Sequence, residues 1–258
     1  MRTDPGRRSF LKRTAALAGT LALGGCDRLS ETPWFREVLE SAESATSRAQ
    51  RFLLGSGPFA REYTEADLSP VFKANGSTSV DDSDYQILAE KDFVDWRLQV
   101  DGLVSHPQKL SLAELRAMPS RTQITRHDCV EGWSCIGQWT GVPLAHVLER
   151  AGVQSRARYV VFRCADTLEP TPDGTGRYYE SLGFEDAYHP QTILAYEMNG
   201  RPLPIPHGAP LRLRVERQLG YKMAKYVMRI ELVESLAGIG RGRGGFWEDR
   251  GYEWYAGI

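Results

Sequence analysis

Apolar and polar residues follow one another in short, regular stretches, which predict a mixture of strands and short helices. The strand candidates are Trp96–Val100, Arg158–Phe162, Pro210–Val215 and Tyr226–Val233. The helix candidates are Thr32 to about Leu54, a short helix opened by the capping box Ser111–Glu114, and Pro143–Ala151 before Gly152. Asn75-Gly76 and Asp101-Gly102 are typical of tight turns. Because the chain has no repeat and no long linker, these elements predict one α+β domain.

The N-terminus has the order of an export signal. A basic stretch, Arg7–Arg13, precedes an apolar run that ends at Gly25, and this run is too short to span a bilayer. The pair Arg7-Arg8 with the following Ser-Phe-Leu-Lys resembles a twin-arginine signal; the alternative is a Sec signal with two adjacent arginines. We therefore interpret residues 1–25 as a twin-arginine signal peptide and expect a periplasmic protein. Since that pathway carries folded proteins, the signal also predicts a cofactor that is inserted before export.

Cys26 leaves two alternatives open. Leu23-Gly24-Gly25-Cys26 resembles a lipoprotein cleavage box, in which case Cys26 would be lipidated and would anchor the protein to a membrane. Ordinary cleavage nearby would leave Cys26 as a spare thiol or remove it. Residues 26–60 are then an N-terminal helical segment, and residues 61–258 form the main domain.

Composition and charge exclude several classes of protein. The chain has 258 residues, of which 41% are hydrophobic and 25% charged, as in a globular protein with a core. A formal net charge of −1 provides no overall field for nucleic acid, so no nucleic-acid partner is expected. Four cysteines are too few for a disulfide framework.

The stretch around Cys129 is the first candidate for chemistry. Arg126 and His127 precede Cys129, and cationic neighbours lower the pKa of a thiol, whose thiolate prefers soft metals. His127, Cys129 and Cys135 could in principle ligate zinc, but their spacing matches no finger or ribbon. Cys135 and Cys164 are interpreted as small buried hydrophobic residues.

A second cluster of basic residues and glycines spans His207–Arg214 and Gly220–Lys225. Glycine lets the backbone approach a ligand, and Arg and Lys bind phosphate, which makes this an anion-site candidate. The alternation of Arg212 and Arg214 with leucine also fits a solvated strand face. These residues alone do not decide between the two.

Three ordered motifs together resemble a known family. They are CVEGWS and WTGVPL at 129–144, YHPQTILAYEMNGRPLP at 188–204, and HGAPLRL with GYKMAKYVMRIEL at 207–232. Over about residues 69–233 the chain resembles the sulfite oxidase-like molybdopterin oxidoreductases, in the bacterial periplasmic branch related to the catalytic subunit of the methionine-sulfoxide reductase system. The resemblance implies a single mixed, β-rich molybdopterin-binding domain of α+β class over residues 61–258.

The resemblance also implies roles for individual residues. Cys129 corresponds to the molybdenum-ligating cysteine, and Glu131 to a glutamate near the metal. The implied contacts to the molybdenum-molybdopterin cofactor are Asn75, Cys164, His207, Arg212, Met223, Ala224 and Lys225. Arg212 would bind the pterin phosphate, and 223–225 would close over the pterin.

Some positions depart from the family pattern. His207 stands where the reductase branch has asparagine and sulfite oxidases have histidine. Cys164 stands where the reductases have threonine. Cys129-Val130-Glu131 replaces the Cys-Ala-Gly-Asn-Arg-Arg pattern of sulfite oxidases, which makes the site less suited to a sulfite dianion.

The sequence therefore predicts a periplasmic molybdenum oxidoreductase that transfers an oxygen atom in a two-electron reaction. It would reduce an S- or N-oxide such as a sulfoxide, on a small molecule or on a protein. Because the chain has no C-x-x-C-H haem motif, electrons would come from a membrane cytochrome or a periplasmic carrier. The alternatives are a sulfite-oxidising enzyme of the same fold and a non-catalytic binding module that has lost its metal.

Overall fold

The computed structural model describes residues 59–171 and 176–258 and eight residues between Thr32 and Ala49. Contacts divide the chain into two units, Met1–Ser56 and Gly57–Ile258. In the first unit, every described residue from Trp34 to Ala49 is helical, in agreement with the predicted helix. The predicted signal peptide and Cys26 lie outside the described residues.

The second unit contains ten strands and four short α-helices in its described part. The strands are β1 Arg97–Gly102, β2 Gln108–Ser111, β3 Arg121–Asp128, β4 Ser134–Pro143, β5 Tyr159–Thr167, β6 Arg177–Gly183, β7 Ile193–Met198, β8 Arg201–Pro202, β9 Arg212–Arg214 and β10 Val227–Val233. The α-helices are α1 Ser83–Glu90, α2 Leu112–Ala117, α3 Leu144–Ala151 and α4 Phe184–Ala187. Four 3₁₀ turns occur at Glu65–Asp67, Ile205–His207, Gly220–Lys222 and Glu248–Arg250.

The strands form two five-stranded sheets. The first has the order β2-β1-β10-β5-β6, in which β1 and β10 are parallel and the other pairs antiparallel. The second has the order β3-β4-β7-β8, with β9 paired to β7. This confirms the predicted α+β class with mixed sheets.

One apolar core contains residues from both sheets. Leu98, Phe162 and Ile230 of the first sheet and Leu194 and Leu213 of the second belong to a single buried cluster. Each of these five side chains is completely buried. The two sheets therefore share one hydrophobic core.

Local signals located the start of α2 and both ends of α3, whereas α1 and α4 were not predicted. Helix α3 begins after Pro143 and ends at Gly152, which has a left-handed φ of 66°. At α2 the Ser111 hydroxyl accepts from the Glu114 amide at 3.1 Å, and the Glu114 carboxylate accepts from the Ser111 amide at 2.8 Å. The predicted capping box is thus confirmed.

One prediction about the strands was wrong, and one of two alternatives left open by the sequence is excluded. Asp101-Gly102 does not turn the chain but continues β1, and residues 103–107 make the connection to β2. The 210–215 stretch is not a solvated face, since all three residues of β9 are buried. Its arginines are accommodated inside by polar and aromatic partners, described below.

We expect Ser111→Ala to destabilise the domain by about 1 kcal/mol, because it removes the oxygen that caps α2. Ser111→Thr keeps a hydroxyl at this position and should recover most of the loss. Urea unfolding of the three proteins measures the difference. Equal stability of the Ala variant and wild type would mean that the cap contributes nothing.

Candidate active site

One cavity is lined by most of the residues whose side chains could react or bind a cofactor. Its volume is about 700 Å³ including the open space at its mouth. Four of its polar lining residues, Asn75, Ser77, Asp166 and Lys225, are hereafter called the polar group. The aromatic group consists of Tyr178, Tyr221, Trp247 and Tyr252. Cys129, Val130, Glu131, Leu168, Met223, Gly76 and Gly220 complete the lining.

Cys129 lies immediately after β3, in a tight turn before β4. Its amide donates to the Trp133 carbonyl at 2.9 Å, and its carbonyl accepts from the Gly132 amide at 3.0 Å. Gly132 has φ 82°, a conformation that favours glycine. The turn holds a half-buried, free thiol at the cavity wall.

The thiol's electrostatic surroundings differ from the sequence-based expectation. Burial raises the pKa of Cys129, and nearby Lys73 and Arg212 lower it without outweighing burial. Arg126 bonds to Asp128 at 3.0 Å instead. The expectation that the sequence neighbours Arg126 and His127 depress this pKa was therefore wrong.

Glu131 stands at the outer side of the cavity. Its carboxylate accepts from the Trp133 indole at 2.9 Å and pairs with Lys73 at 3.4 Å. These two hydrogen bonds lower its pKa. The Lys73 ammonium also lies 5.1 Å from the centre of the Trp133 ring, so the carboxylate is held ionised at this edge.

A network of buried polar residues lies along β3, the strand that leads to Cys129. Gln123, Thr125 and His127, the inward residues of β3, are polar and buried. Arg214 of β9 reaches His127 Nδ1 at 3.1 Å and Thr125 Oγ1 at 3.4 Å. Glu216 accepts from Arg214 and, at 2.9 Å, from Gln123. We call these five residues the polar seam.

His127 connects the polar seam to the cavity lining. Its Nδ1 lies 3.3 Å from the Met223 sulfur. A side chain at Gly220 would collide with the imidazole ring, so glycine is required there. Burial, together with Arg212 and Arg214, lowers the pKa of His127 well below its ordinary value, and the ring is therefore neutral.

The polar group is internally bonded but incompletely satisfied. The Ser77 hydroxyl donates to Asp166 Oδ2, and Lys225 donates to the carbonyls of Ser77 and Pro206. Asp166 Oδ1 has no hydrogen-bond partner among the described residues. Burial raises the pKa of Asp166, and burial and Arg212 lower the pKa of Lys225 to about 7.

Arg212 lies fully buried behind Asn75. It donates to Asn75 Oδ1 at 3.0 Å and to the His207 carbonyl at 3.2 Å, and its guanidinium lies 5.2 Å from the centre of the Trp139 ring. Its Nε and the Nδ1 of His207 have no partner in the described part of the chain. Burial lowers the pKa of Arg212 to about 9 and that of His207 to about 4.

The structure brings together most of the residues singled out in the sequence. Those that line the cavity are Cys129, Glu131, Asn75, Met223 and Lys225. Arg212 joins them through Asn75, and the His207 carbonyl accepts from Arg212. Cys164 and Ala224 instead belong to the apolar core, and Cys135 is half-buried against the cluster around Phe72.

Several lining residues were missed in the sequence. Asp166 carried a usable signal, because a carboxylate near the end of an apolar strand is unusual unless it has a partner. Trp247 and Tyr252 gave no comparable signal, since their segment has no apolar periodicity. Tyr178 is hidden within a buried strand.

Comparison with known proteins identifies the family. Residues 85–237 match the family model described as the oxidoreductase molybdopterin binding domain. The chain belongs to this family. It is therefore a molybdenum-dependent oxidoreductase of the sulfite oxidase-like group, and molybdenum-molybdopterin is its cofactor.

Two relatives named as methionine-sulfoxide reductase subunits agree with this assignment. A protein of Azospira oryzae, named as a candidate protein-methionine-sulfoxide reductase subunit, YedZ1, is 38% identical over 98% of this chain and 88% of its own length. The protein-methionine-sulfoxide reductase catalytic subunit MsrP of Xanthomonas campestris is 41% identical over 55% of this chain, which spans 46% of that protein. The sulfane dehydrogenase SoxCD of Paracoccus pantotrophus aligns with 24% identity and a TM-score of 0.49, over 55% of this chain and 39% of that one.

The residues present fit molybdopterin. Asp166 offers an unsatisfied buried acceptor for the amino groups of a pterin, and Arg212 Nε an unsatisfied buried donor for an anion. Lys225 adds a positive charge suited to phosphate. Within the described residues no three His, Cys, Asp or Glu side chains are grouped as a metal site.

The lowered pKa of Lys225 gives a testable pH dependence in the cofactor-free protein. Its pKa falls from 10.5 to about 7 on folding, so the unfolded chain binds the extra proton between these values. Stability should therefore rise with pH from about 7 to 10, by up to roughly 1.4 kcal/mol per unit. Urea unfolding of the apo-protein should show this slope, and Lys225→Met should remove it. An equal slope in both proteins would contradict the assignment.

Proposed function

We propose that this chain catalyses the two-electron reduction of a sulfoxide, with methionine sulfoxide, free or in a protein, as the substrate class. The observation that carries the proposal is the Cys129 thiol at the wall of a cavity that also exposes Glu131. The names of the Azospira and Xanthomonas relatives support the choice of sulfoxide.

Each part of the cavity has a role in this proposal. When bound, the cofactor supplies a molybdenum centre that exchanges an oxygen atom and two electrons. Cys129 would ligate the metal, and Asp166, Arg212 and Lys225 would hold the pterin and its phosphate. The aromatic group offers apolar surface for the carbon substituents of a sulfoxide, which carries no net charge.

The charge at the mouth favours a neutral substrate over sulfite. Glu131 is ionised and stands where sulfite oxidases carry arginines, and its charge balances that of Lys73, so this edge offers no net positive charge to a dianion. His207, which matches sulfite oxidases, is neutral because its pKa is about 4. It therefore adds no positive charge to the site.

A pair of assays tests the proposal. Holoprotein should oxidise a reduced viologen dye when methionine sulfoxide is added, and should not reduce ferricyanide when sulfite is added. The reverse pattern would establish the sulfite-oxidising alternative. Absence of molybdenum from protein made with ample molybdate would favour the binding module.

We further propose that the protein is exported by the twin-arginine pathway and works in the periplasm, with Cys26 as a lipid anchor. The described residues contain no helix that is both long and apolar enough to cross a bilayer. Electrons would then reach the site from a membrane cytochrome or a periplasmic carrier. The naming of the Azospira relative as a subunit supports the existence of such a partner.

Cys129→Ser should abolish sulfoxide reduction while pterin remains bound. A hydroxyl is a poor ligand for a soft site, but the contacts from Asp166, Arg212 and Lys225 are unchanged. Cys135→Ser, at a half-buried thiol outside the cavity lining, is the matched control and should keep its activity. Pterin fluorescence after denaturation and the viologen assay measure the two quantities. A fully active Cys129→Ser protein would exclude this residue as the ligand.

Changing Arg7-Arg8 to Lys-Lys should retain molybdenum-loaded protein in the cytoplasm, because the twin-arginine pathway requires the arginine pair. Cell fractionation with a molybdenum assay of each fraction measures this. Replacing Arg13 with Lys is the control and should not affect export. Normal export of the double variant would instead indicate the Sec pathway, which accepts any basic segment.

A further inference from the structure

A second buried charge cluster lies beside the cavity, separate from the polar seam. The Lys222 ammonium donates to Glu180 Oε1 and to Glu248 Oε1, both at 2.5 Å. All three side chains have at most 1% of their surface exposed. We call these three residues the acid cluster.

The charges of the acid cluster do not balance if every group is ionised. Two carboxylates and one ammonium would leave one negative charge in a fully buried site, which is costly. Both carboxyl groups contact the same ammonium and lie against the backbone of Gly245. Two ionised carboxylates can only accept hydrogen bonds, whereas one proton between them makes one of them a donor.

Two carboxyl oxygens of the acid cluster lack hydrogen-bond partners, as expected if the carboxyl pair holds a proton. Oε2 of Glu180 and Oε2 of Glu248 have no partner among the described residues. Burial and Glu248 raise the pKa of Glu180 well above its ordinary value, although Lys222 opposes them. The pKa of Lys222 is raised because both carboxylates outweigh the effect of its burial.

The cluster joins three segments that each line the cavity. Lys222 lies between the lining residues Tyr221 and Met223. Glu248 follows Trp247, and Glu180 lies two residues after Tyr178 on β6. The backbone of Gly245 packs so closely against both carboxyl groups that a side chain there would collide with them.

We infer that the carboxyl pair of Glu180 and Glu248 holds one proton, and that the resulting neutral cluster with Lys222 is the positioning device that fixes the aromatic group around the cavity. This inference goes beyond the proposed function and does not depend on which substrate is reduced. Its residues touch neither Cys129 nor the polar group in the contacts described.

The tyrosines and the cysteine that face the cluster do not ionise near neutral pH. Tyr178 and Tyr179 on β6, Tyr221 beside Lys222 and Cys164 on β5 all have raised pKa values, mainly because they are buried. Asp249, on the 3₁₀ turn that carries Glu248, accepts from the Tyr179 hydroxyl and from the amides of 241 and 243. Trp254 adds an uncharged ring 5.5 Å from the Lys222 ammonium.

Proton uptake on folding tests whether the carboxyl pair holds a proton. In the wild-type chain the cluster should take up one proton on folding, so the folding equilibrium constant should fall by up to tenfold per pH unit above about pH 5. Glu248→Gln replaces the proton with an amide donor and leaves a balanced Lys222–Glu180 pair. Its pH slope should be one proton smaller, as measured by urea unfolding from about pH 5 to 7.

A matched control separates this effect from a general loss of charge. Glu231→Gln removes a half-buried carboxylate that pairs with Arg163 at 2.9 Å and lies outside the cavity lining. It should leave the proton uptake unchanged. Equal slopes in wild type and Glu248→Gln would overturn the inference.

Infrared spectroscopy detects the proton in the wild-type protein itself, so this test does not require Glu248→Gln to fold. Wild-type protein at neutral pH should show the band of a protonated carboxylic acid, and Asp166→Asn should retain it. Absence of the band, or its loss in Asp166→Asn, would overturn the proton assigned to the carboxyl pair.

The positioning role has its own readout. Lys222→Met should accelerate tryptic cleavage after Arg250, which follows Glu248 in the same 3₁₀ turn, and Arg163→Met should not. Cleavage sites are identified by mass spectrometry of the full-length protein. Unchanged protection at Arg250 in Lys222→Met would refute the positioning role.

Discussion

The active-site geometry depends on the ion pair between Arg214 and Glu216. Two hydrogen bonds of 2.8 and 2.6 Å join their side chains, which are fully buried. Removing one partner would leave an uncompensated charge in the interior, which costs about 3–5 kcal/mol. Because Arg214 also holds His127, this pair fixes the end of β3. The position of the Cys129 thiol therefore depends on the buried Arg214–Glu216 ion pair as much as on the turn that contains Cys129.

Elements with local signals could be predicted from the sequence. The capping box at Ser111 and the left-handed glycine at 152 act within one helical turn, so their residues are neighbours along the chain. The same holds for the motif around Cys129, whose turn closes within four residues. The ordered motifs were also sufficient to find Lys225 and Arg212, although they gave no information on how these side chains are buried.

What could not be predicted depends on contacts between distant residues. Alternation suggested that Arg212 and Arg214 face solvent, but Asn75 and Glu216 provide partners inside the domain. Arg126 was expected to act on Cys129 because it is near in sequence, whereas the cations that do so, Lys73 and Arg212, are both more than fifty residues away. Burial and charge at a site are properties of the assembled fold, and local patterns do not contain them.

The span of the cavity lining along the chain has a consequence for how the enzyme matures. Residues from Asn75 to Tyr252 meet around one space, so the cavity is complete only when segments from both ends of the domain are in place. Contacts so remote in sequence form slowly, since chain entropy is lost before they are gained. A ligand that binds only the completed cavity adds stability by mass action, by about 4 kcal/mol at a thousandfold excess over its dissociation constant. Cofactor supply would then control how much of the newly made chain survives surveillance by cellular proteases.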